Sequence, residues 1–317
     1  GAARGVRMSG QILYDGPSGQ PALVLGDGGA VNNQAKQYHG IRVLRATQAD
    51  WTNEADIGVQ LRNLDASFAQ VAQAEGFTIG VQAVGVSRGF EDSTVELGRI
   101  ANNKIGVDVR GENAGSWNNS VRWIGGHIAN ASATHPTQHR FGIRFSKGAA
   151  GYNLHNAHVF VGTAFELQNQ AGAVDAIPFL VEVNARGIRG EALRIEGNSP
   201  VVARHTAGAA DCVYQVAFSS NGAITGTEGN AYLLEVDPYH QAAAAVHPPR
   251  LIADVPSLRA AAFRWTSTEV GFDGLAVLSG NPAGPPATLN GLAFPGLSDF
   301  TLNADSITFP TSRALGF

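Results

Sequence analysis

A four-residue phrase, a glycine followed by an apolar, a polar and an apolar residue, recurs in the first half of this 317-residue chain. Its five copies begin 18, 22, 26 and 36 residues apart, at Gly40, Gly58, Gly80, Gly106 and Gly142. In a β-strand, the two apolar side chains of each copy point to one face and the polar side chain between them points to the other. Repeats of about this length, separated by loops of variable size, are typical of solenoids. We therefore predict an all-β protein with the right-handed parallel β-helix fold, in which the apolar pairs face inward.

The composition also favours many short strands with tight corners. Glycine supplies 39 of the 317 residues, and only 15% of the residues are charged. Frequent glycines between short apolar stretches are typical of turns that separate strands. One segment differs, because Leu61, Leu64, Phe68 and Val71 follow the i, i+3, i+7 spacing of an amphipathic helix. There we predict a short helix over residues 61–74.

Local composition divides the chain into three parts. Residues 1–37, rich in glycine, alanine and glutamine, are predicted to form a short N-terminal cap, and residues 38–245 are assigned to the β-helix. Prolines become frequent after His240, and because proline removes hydrogen-bond donors from central strands, residues 246–317 are predicted to leave the coil. We expect this C-terminal β element to hold a homotrimer together. The alternative is a proline-rich tail that lies along the coil.

Charge, hydropathy and cysteine content argue against several kinds of partner. The formal net charge is −4 and no basic stripe is present, so we predict no nucleic-acid partner. No run of about 20 apolar residues occurs, so we predict no membrane insertion. Cys212 is the single cysteine, so the fold cannot depend on an intrachain disulfide. The chain carries no complete phosphate-loop motif, and we predict no cofactor.

The segment from Trp117 to Gly126 resembles a phrase that recurs in the β-helices of phage tailspikes and tail fibres, within the pectate-lyase-like superfamily. The residues that carry the resemblance are Trp117, Asn119, Trp123, Gly125 and Gly126. A second asparagine is usual where Val121 stands, and Glu196-Gly-Asn-Ser-Pro is similar to a phrase from the last turns of these proteins. The resemblance implies a homotrimer that binds bacterial capsule, lipopolysaccharide or exopolysaccharide. It does not choose among hydrolases, lyases and pure receptor binders.

Aligning the phrases and their later variants places the middle residues in one outward column: Gln60, Gln82, Asp108, Arg144, Glu166, Glu182 and Arg194. Strands of neighbouring turns lie about 4.8 Å apart. The carboxyl groups of the column would then have separations like those of inverting or retaining glycosidases. Two adjacent carboxylates repel, which raises the pKa of one of them and suits it to general-acid catalysis. We predict Asp108, Glu166 and Glu182 as catalytic candidates, with a solvated ion-pair ladder from Asp108 through Arg144 to Glu166 as the alternative.

A second alignment predicts a surface that contacts carbohydrate. Laying residues 93–100, 120–128 and 153–161 over one another brings together Glu96, Arg122 and His155, with Arg99, His127 and His158 nearby. Arginine can hold the carboxylate of an acidic sugar, and histidine can transfer protons near neutral pH. The predicted substrate-binding residues are Arg122, Arg144, Trp117, His127, His155 and Glu96. His155 and His158 are three residues apart, which would place them on opposite faces of a regular strand, so we predict no metal site.

The sequence and the resemblance together predict a phage tailspike or tail fibre, located on the virion tail, that binds and depolymerises a bacterial surface polysaccharide. Glycoside hydrolysis is favoured over elimination. One alternative is a monomeric, secreted polysaccharide lyase or hydrolase, which would usually show a tight aspartate cluster for calcium. The other alternative is a non-catalytic receptor-binding spike.

Overall fold

The computed structural model describes residues 5–29, 32–130, 135, 137–151, 154–168, 175–197, 199, 201–207, 209–210 and 212–219, and nine short strands in the rest of the chain. All regular structure among these residues consists of β-strands. The all-β prediction is therefore confirmed for the described part of the chain.

The strands vary from two to nine residues in length. The first sixteen are β1 (Gly5–Arg7), β2 (Ile12–Tyr14), β3 (Pro21–Leu25), β4 (Asn33–Gln34), β5 (Gln37–Arg45), β6 (Ile57–Arg62), β7 (Leu64–Asp65), β8 (Phe68–Glu75), β9 (Ile79–Gly85), β10 (Phe90–Glu91), β11 (Thr94–Ala101), β12 (Ile105–Gly111), β13 (Asn118–Asn119), β14 (Arg122–Asn130), β15 (Arg140–Lys147) and β16 (Leu154–Asn156).

The later strands are β17 (Val159–Val161), β18 (Ala164–Leu167), β19 (Ala176–Val181), β20 (Asn184–Arg186), β21 (Arg189–Gly197), β22 (Ala203–His205), β23 (Ala209–Ala210), β24 (Val213–Ser219), β25 (Thr227–Glu228), β26 (Ala231–Glu235), β27 (Arg250–Asp254), β28 (Ala261–Thr266), β29 (Asp273–Leu278), β30 (Ala287–Leu289), β31 (Leu292–Phe294), β32 (Thr301–Asn303) and β33 (Ser306–Thr308).

Three sheets, built from parallel pairs as far as β26, contain most of these strands. Sheet A has the order β1-β5-β8-β11-β14-β17-β21-β24-β26-β27, with β2 beside β5 and β18 beside β14 and β21. Sheet B has the order β25-β22-β19-β15-β12-β9-β6-β3, and sheet C has the order β23-β20-β16-β13-β10-β7-β4. From β3 to β24 the chain visits sheets B, C and A in a repeating order. This arrangement is compatible with a parallel β-helix.

Four of the five repeated phrases stack in register on sheet B. Val59 pairs with Val81, Val81 pairs with Val107, and Val107 pairs with Ile143. All four side chains are fully buried in the main hydrophobic core, as the phrase predicts. The first copy, at Gly40, lies in β5 of sheet A instead. The 18-residue interval after it is therefore a step between sheets and not a step between neighbouring strands of one sheet.

The glycine of the phrase recurs because neighbouring strands approach too closely there for a side chain. A Cβ atom placed on Gly58 would lie 2.7 Å from the carbonyl oxygen of Gly80. A Cβ atom on Gly80 would lie 2.8 Å from the carbonyl oxygen of Gly106, and one on Gly106 would lie 2.7 Å from the carbonyl oxygen of Gly142. Any larger residue would force the strands apart at this row.

The helix predicted over residues 61–74 is wrong, because strands β6, β7 and β8 cover most of this segment. Leu61, Leu64 and Val71 are all fully buried in the core, but they reach it from sheets B, C and A respectively. The corners between these strands are one and two residues long, and each contains a residue with positive φ, Asn63 at 47° and Ala66 at 44°. Short strands joined by such corners reproduce a helix-like spacing of apolar residues.

The two ends of the chain differ from the central strands in their pairing. Residues 5–34, assigned from the sequence to an N-terminal cap, already add strands β1 and β2 to sheet A, β3 to sheet B and β4 to sheet C. Beyond β26 the described strands pair in antiparallel fashion, as β26 with β27, β28 with β29, β30 with β31, and β32 with β33. The change from parallel to antiparallel pairing follows the change in composition after His240.

Candidate functional site

The predicted column of middle residues exists on sheet B as far as Arg144. Gln60 pairs with Gln82, Gln82 with Asp108, and Asp108 with Arg144. Gln60 Nε2 donates to Gln82 Oε1 at 2.6 Å, and Gln82 Nε2 donates to Asp108 Oδ2 at 2.9 Å. All four side chains are buried, so the expectation that they face solvent is wrong.

The loop between β5 and β6, residues 46–56, contributes to this burial. Trp51 is fully buried and anchors the loop, and the side chain of Asn53 accepts a hydrogen bond from the backbone N–H of Ala55 at 2.9 Å. This turn presents Glu54 to the end of Arg144. Arg144 Nη1 donates to Glu54 Oε1 at 2.9 Å, and Nη2 donates to Oε2 at 2.8 Å. The sequence pattern missed Glu54, because it lies in a loop and outside every repeated phrase.

Asp108 is not the accessible catalytic carboxylate that the sequence predicts. It has no exposed surface, and its Oδ1 atom accepts hydrogen bonds from Arg144 Nε at 2.8 Å and from Ser146 Oγ at 2.7 Å. Burial by itself raises the pKa of Asp108, but the charge of Arg144 and the hydrogen bonds from Arg144, Gln82 and Ser146 outweigh it, so the pKa lies below its ordinary value. Asp108 thus holds Arg144 in place as a buried, charged partner.

Glu182 is the predicted catalytic residue that remains accessible beside this pair. It directly follows β19, its side chain is 45% exposed, and its Oε2 atom lies 4.0 Å from Arg144 Nε. Partial burial raises the pKa of Glu182, and the negative charges of Asp108 and Glu54 add to the rise, against the opposing charge of Arg144. Glu54, 43% exposed, is the other accessible carboxylate. We call Glu54, Asp108, Arg144 and Glu182 the Arg144 cluster.

Glu166 lies on a different sheet, so its predicted place in the column is wrong. Leu180 pairs with Arg144 and continues the row on sheet B, whereas Glu166 lies in β18 of sheet A, between Ala129 and Glu196. Arg194 belongs to sheet A as well. Phrases from two sheets look alike in the sequence, because the strands of both sheets alternate apolar and polar residues, although on sheet B the polar residues are covered as well. The predicted ladder therefore keeps its Asp108–Arg144 step and loses its step to Glu166.

Two predicted residues do meet on the outer face of sheet A. His127 Nε2 lies 3.2 Å from Glu166 Oε2, and both side chains are partly exposed. Arg99 pairs in register with His127, and its Nε atom lies 3.4 Å from Glu75 Oε2. These contacts make a polar face that is separate from the Arg144 cluster.

The second predicted column is wrong in register. Glu96 pairs with Ile124, and Arg122 pairs with Thr94 and Val159, so Glu96 and Arg122 occupy different rows of sheet A. His155 is not in this sheet, since it pairs with Asn118 in sheet C. A short phrase does not fix which residues turn the corner between sheets.

His155 and His158 are interior residues, so the placement of His155 on a ligand-binding face is also wrong. Both are fully buried, with ring centroids 6.5 Å apart, because Ala157, at a φ of 55°, turns the chain between them. Burial lowers the pKa of His155 to about 4 and that of His158 to about 3. Asn118 Nδ2 lies 3.1 Å from His155 Nδ1, and Trp123 Nε1 donates to His158 Nδ1 at 3.3 Å. These contacts provide hydrogen-bond partners for uncharged imidazole rings in the core.

Trp117 is partly exposed and directly precedes β13, the central strand of sheet C. Its Nε1 atom donates to Glu91 Oε2 at 2.6 Å. The predicted binding residues are thus distributed over three sheets, and the Arg144 cluster is the place where predicted catalytic residues come together.

The part of the chain that the structure describes contains no group of three or more His, Cys, Asp or Glu side chains that could hold a metal ion. It also contains no helix with the length and apolar character needed to cross a membrane. No protein-family model matches the chain, and no curated protein or solved structure shows significant similarity to it.

Proposed function

We propose that this chain is a right-handed parallel β-helix of the phage tailspike or tail-fibre type, a homotrimer on the virion tail that binds and hydrolyses a bacterial surface polysaccharide. The observation that carries the proposal is the Arg144 cluster, in which two half-exposed carboxylates flank a buried arginine. The parallel sheets and the resemblance around Trp117 support the architecture. Capsule, lipopolysaccharide and exopolysaccharide are the substrate classes to test.

In the proposed reaction, Glu182 is the general acid. Its raised pKa keeps more of it protonated at a given pH than an ordinary glutamate, which suits it to donate a proton to the leaving glycosidic oxygen. Glu54 accepts the proton of the attacking water, whose oxygen bonds to the anomeric carbon as the glycosidic C–O bond breaks. Arg144 is a positioning residue, because it holds both oxygens of Glu54 and is itself fixed by Asp108.

The contacts of Arg144 also favour a second candidate function, a receptor-binding spike without catalysis. Its guanidinium group is hydrogen-bonded to both Asp108 and Glu54. Buried, paired arginines of this kind occur in purely structural networks. The secreted monomeric hydrolase or lyase is the remaining alternative, and it differs in assembly.

Product analysis separates these functions. The parent protein is incubated with capsule, lipopolysaccharide and exopolysaccharide from candidate hosts, and the products are measured as reducing ends and as the absorbance of unsaturated uronate. Hydrolysis releases reducing ends without that absorbance. Glu182→Gln should lower cleavage at least about a hundredfold while binding persists, because an amide cannot donate a carboxylic proton. Glu191→Gln, on the outer face of sheet A, is the matched control and should cleave like the parent.

Each remaining result supports a different conclusion. Binding without cleavage by the parent identifies the non-catalytic spike, and the uronate absorbance identifies a lyase. Absence of both binding and cleavage would contradict the proposal. Light scattering tests the assembly. The parent should have the mass of three chains, and the protein without residues 246–317 should have the mass of one shortened chain. A monomeric mass for both proteins would favour the secreted enzyme.

A further inference from the structure

Sheet C carries a row of polar side chains that the Arg144 cluster does not use. The register of its strands joins Gln34 to Asp65, Asp65 to Glu91, Glu91 to Asn119, and Asn119 to Asn156. Every member of the row has exposed surface, whereas the preceding residues of β7, β10 and β13 are buried. The row therefore faces outward, and its members lie about 4.8 Å apart along the sheet.

Two carboxylates face each other in the middle of this row. Asp65 and Glu91 are direct neighbours on β7 and β10, an arrangement that is destabilising for like charges. Neutral donors hold them. The amide of Asn32 bridges the pair, at 3.3 Å from Asp65 Oδ2 and 3.2 Å from Glu91 Oε1, and Gln34 Nε2 donates to Asp65 Oδ2 at 2.8 Å. Neither carboxylate takes part in an ion pair among the described residues.

An aromatic ring is fixed at the edge of the same row. Trp117 Nε1 donates to the second oxygen of Glu91 at 2.6 Å. The indole also lies against the backbone of Gly89, because a Cβ atom there would be 2.2 Å from Trp117 Nε1 and 2.8 Å from Glu91 Oε1. Gly89 thus sets the position of Trp117 relative to Glu91. The side chain of Trp117 is nevertheless partly exposed.

Two amide oxygens, one beside the row and one at its end, have acceptor capacity that the neighbouring donors do not fill. Asn32 Oδ1 and Asn156 Oδ1 are buried and have no hydrogen-bond partner among the described residues. Leaving such acceptors unpaired costs free energy, which a small movement and an incoming hydroxyl donor would recover. A fixed aromatic face, two carboxylates and several amides together match a molecule that has an apolar face and a rim of hydroxyl groups.

We propose that Trp117, Glu91, Asp65 and Asn32 form a binding subsite for one neutral sugar ring. The indole stacks on the C–H face of the ring, and the two carboxylates accept hydrogen bonds from adjacent hydroxyls, which are stronger than bonds between neutral groups. A sugar carboxylate would meet two negative charges, so the subsite excludes uronic acids. The subsite rests on the proposed polysaccharide binding, but not on cleavage at the Arg144 cluster.

Calorimetric titration with defined oligosaccharides tests the subsite. The probes are the neutral hexasaccharides maltohexaose and cellohexaose and the acidic hexamer of galacturonate. The parent should bind at least one neutral probe, and the acidic probe at least about tenfold more weakly. Trp117→Ala should weaken neutral binding about tenfold or more, as expected for an aromatic anchor. Trp117→Phe keeps a ring and loses the bond to Glu91, so its affinity for the neutral probe should fall between that of Trp117→Ala and that of the parent.

Glu191→Gln is the control and should bind like the parent, and melting temperatures verify that each variant is folded.

The outcomes distinguish this inference from the proposed function. If the parent cleaves a host polysaccharide but binds neither neutral hexasaccharide, the subsite is wrong and the proposed function stands. Equal binding by the parent, Trp117→Ala and Trp117→Phe also overturns it, as does tighter binding of the galacturonate hexamer. Loss of neutral binding in Trp117→Ala, in a protein that neither binds nor cleaves any host polysaccharide, supports the subsite and overturns the proposed function.

Discussion

The covered polar groups of sheets B and C and the open charge pairs of sheet A are built from the same residue types, but their surroundings differ. Asp108 and Arg144 are buried, and so are His155 and His158. On sheet A, the Arg99–Glu75 and His127–Glu166 pairs remain partly exposed. Strand alternation alone would have placed Asp108 and Arg144 on an equally open face.

The difference shows that burial decides whether a charged residue of this fold contributes strongly to stability. A buried ion pair that loses one partner leaves an uncompensated charge in a medium of low polarity, which costs about 3 to 5 kcal/mol. An exposed pair is screened by water and contributes about 0 to 1 kcal/mol. The covered groups should therefore control stability, and the accessible carboxylates beside them are free to act on a ligand.

Acid should produce the largest effect, through the buried histidines. Their pKa values, about 4 for His155 and about 3 for His158, lie below that of an unfolded histidine at about 6.5. As the pH falls, the unfolded state therefore takes up protons first. Stability is complete above about pH 6.5 and should fall by about 3 kcal/mol per histidine by pH 4. Burial lowers the pKa of His205 to about 4, and His205 acts in the same direction.

Urea unfolding at several pH values measures this dependence. His158→Gln should reduce the loss of unfolding free energy between neutral pH and pH 4, because it removes one of the titrating groups. His127→Gln, at an exposed position, should leave the loss unchanged. An unfolding free energy that is the same at both pH values would contradict the burial of His155 and His158 as neutral groups.

Removing the charge of Asp108 should have the next largest effect. Asp108→Asn removes the one fully buried carboxylate that pairs with Arg144 and leaves only the half-exposed Glu54 and Glu182 as charged partners, so the free energy of unfolding should fall by about 3 kcal/mol at neutral pH. Chemical denaturation measures the change. A loss below about 1 kcal/mol would mean that water reaches the Arg144 cluster and that its cover is less complete than the structure indicates.

Breaking an open pair should have a much smaller effect on stability. Arg99→Ala removes the contact with Glu75 on the outer face of sheet A, and the free energy of unfolding should change by less than about 1 kcal/mol. High salt should reduce even this change, because exposed charges are screened. A loss as large as that of Asp108→Asn would place Arg99 in an interface that buries it.

The smallest effect is expected on catalysis at sheet A. Glu166→Gln should leave cleavage close to that of the parent, because Glu166 lies outside the Arg144 cluster. The same polysaccharide assay measures it beside Glu182→Gln. A hundredfold loss in Glu166→Gln, with Glu182→Gln unaffected, would move the acid to the His127–Glu166 pair and reverse the assignment.

The sequence predicted the parts of the fold that repeat locally. The buried row from Val59 to Ile143 follows from the alternation of each phrase, and the adjacent row from Gln60 to Arg144 follows from the same register. The helix over residues 61–74 was a wrong prediction, because the short corners at Asn63 and Ala66 give apolar residues a helix-like spacing. Periodicity alone does not separate a helical turn from a corner between two sheets.

By itself, the sequence determined that apolar and polar residues alternate in short strands, because that pattern depends only on neighbours along the chain. The tertiary structure decided which phrases share a sheet, since Glu166 lies on sheet A and Glu182 beside sheet B. It also brought Glu54 to Arg144, 90 residues away in the chain, through a loop that carries no repeat. Contacts between distant segments depend on loop paths and packing, and the local pattern that specifies a strand contains neither.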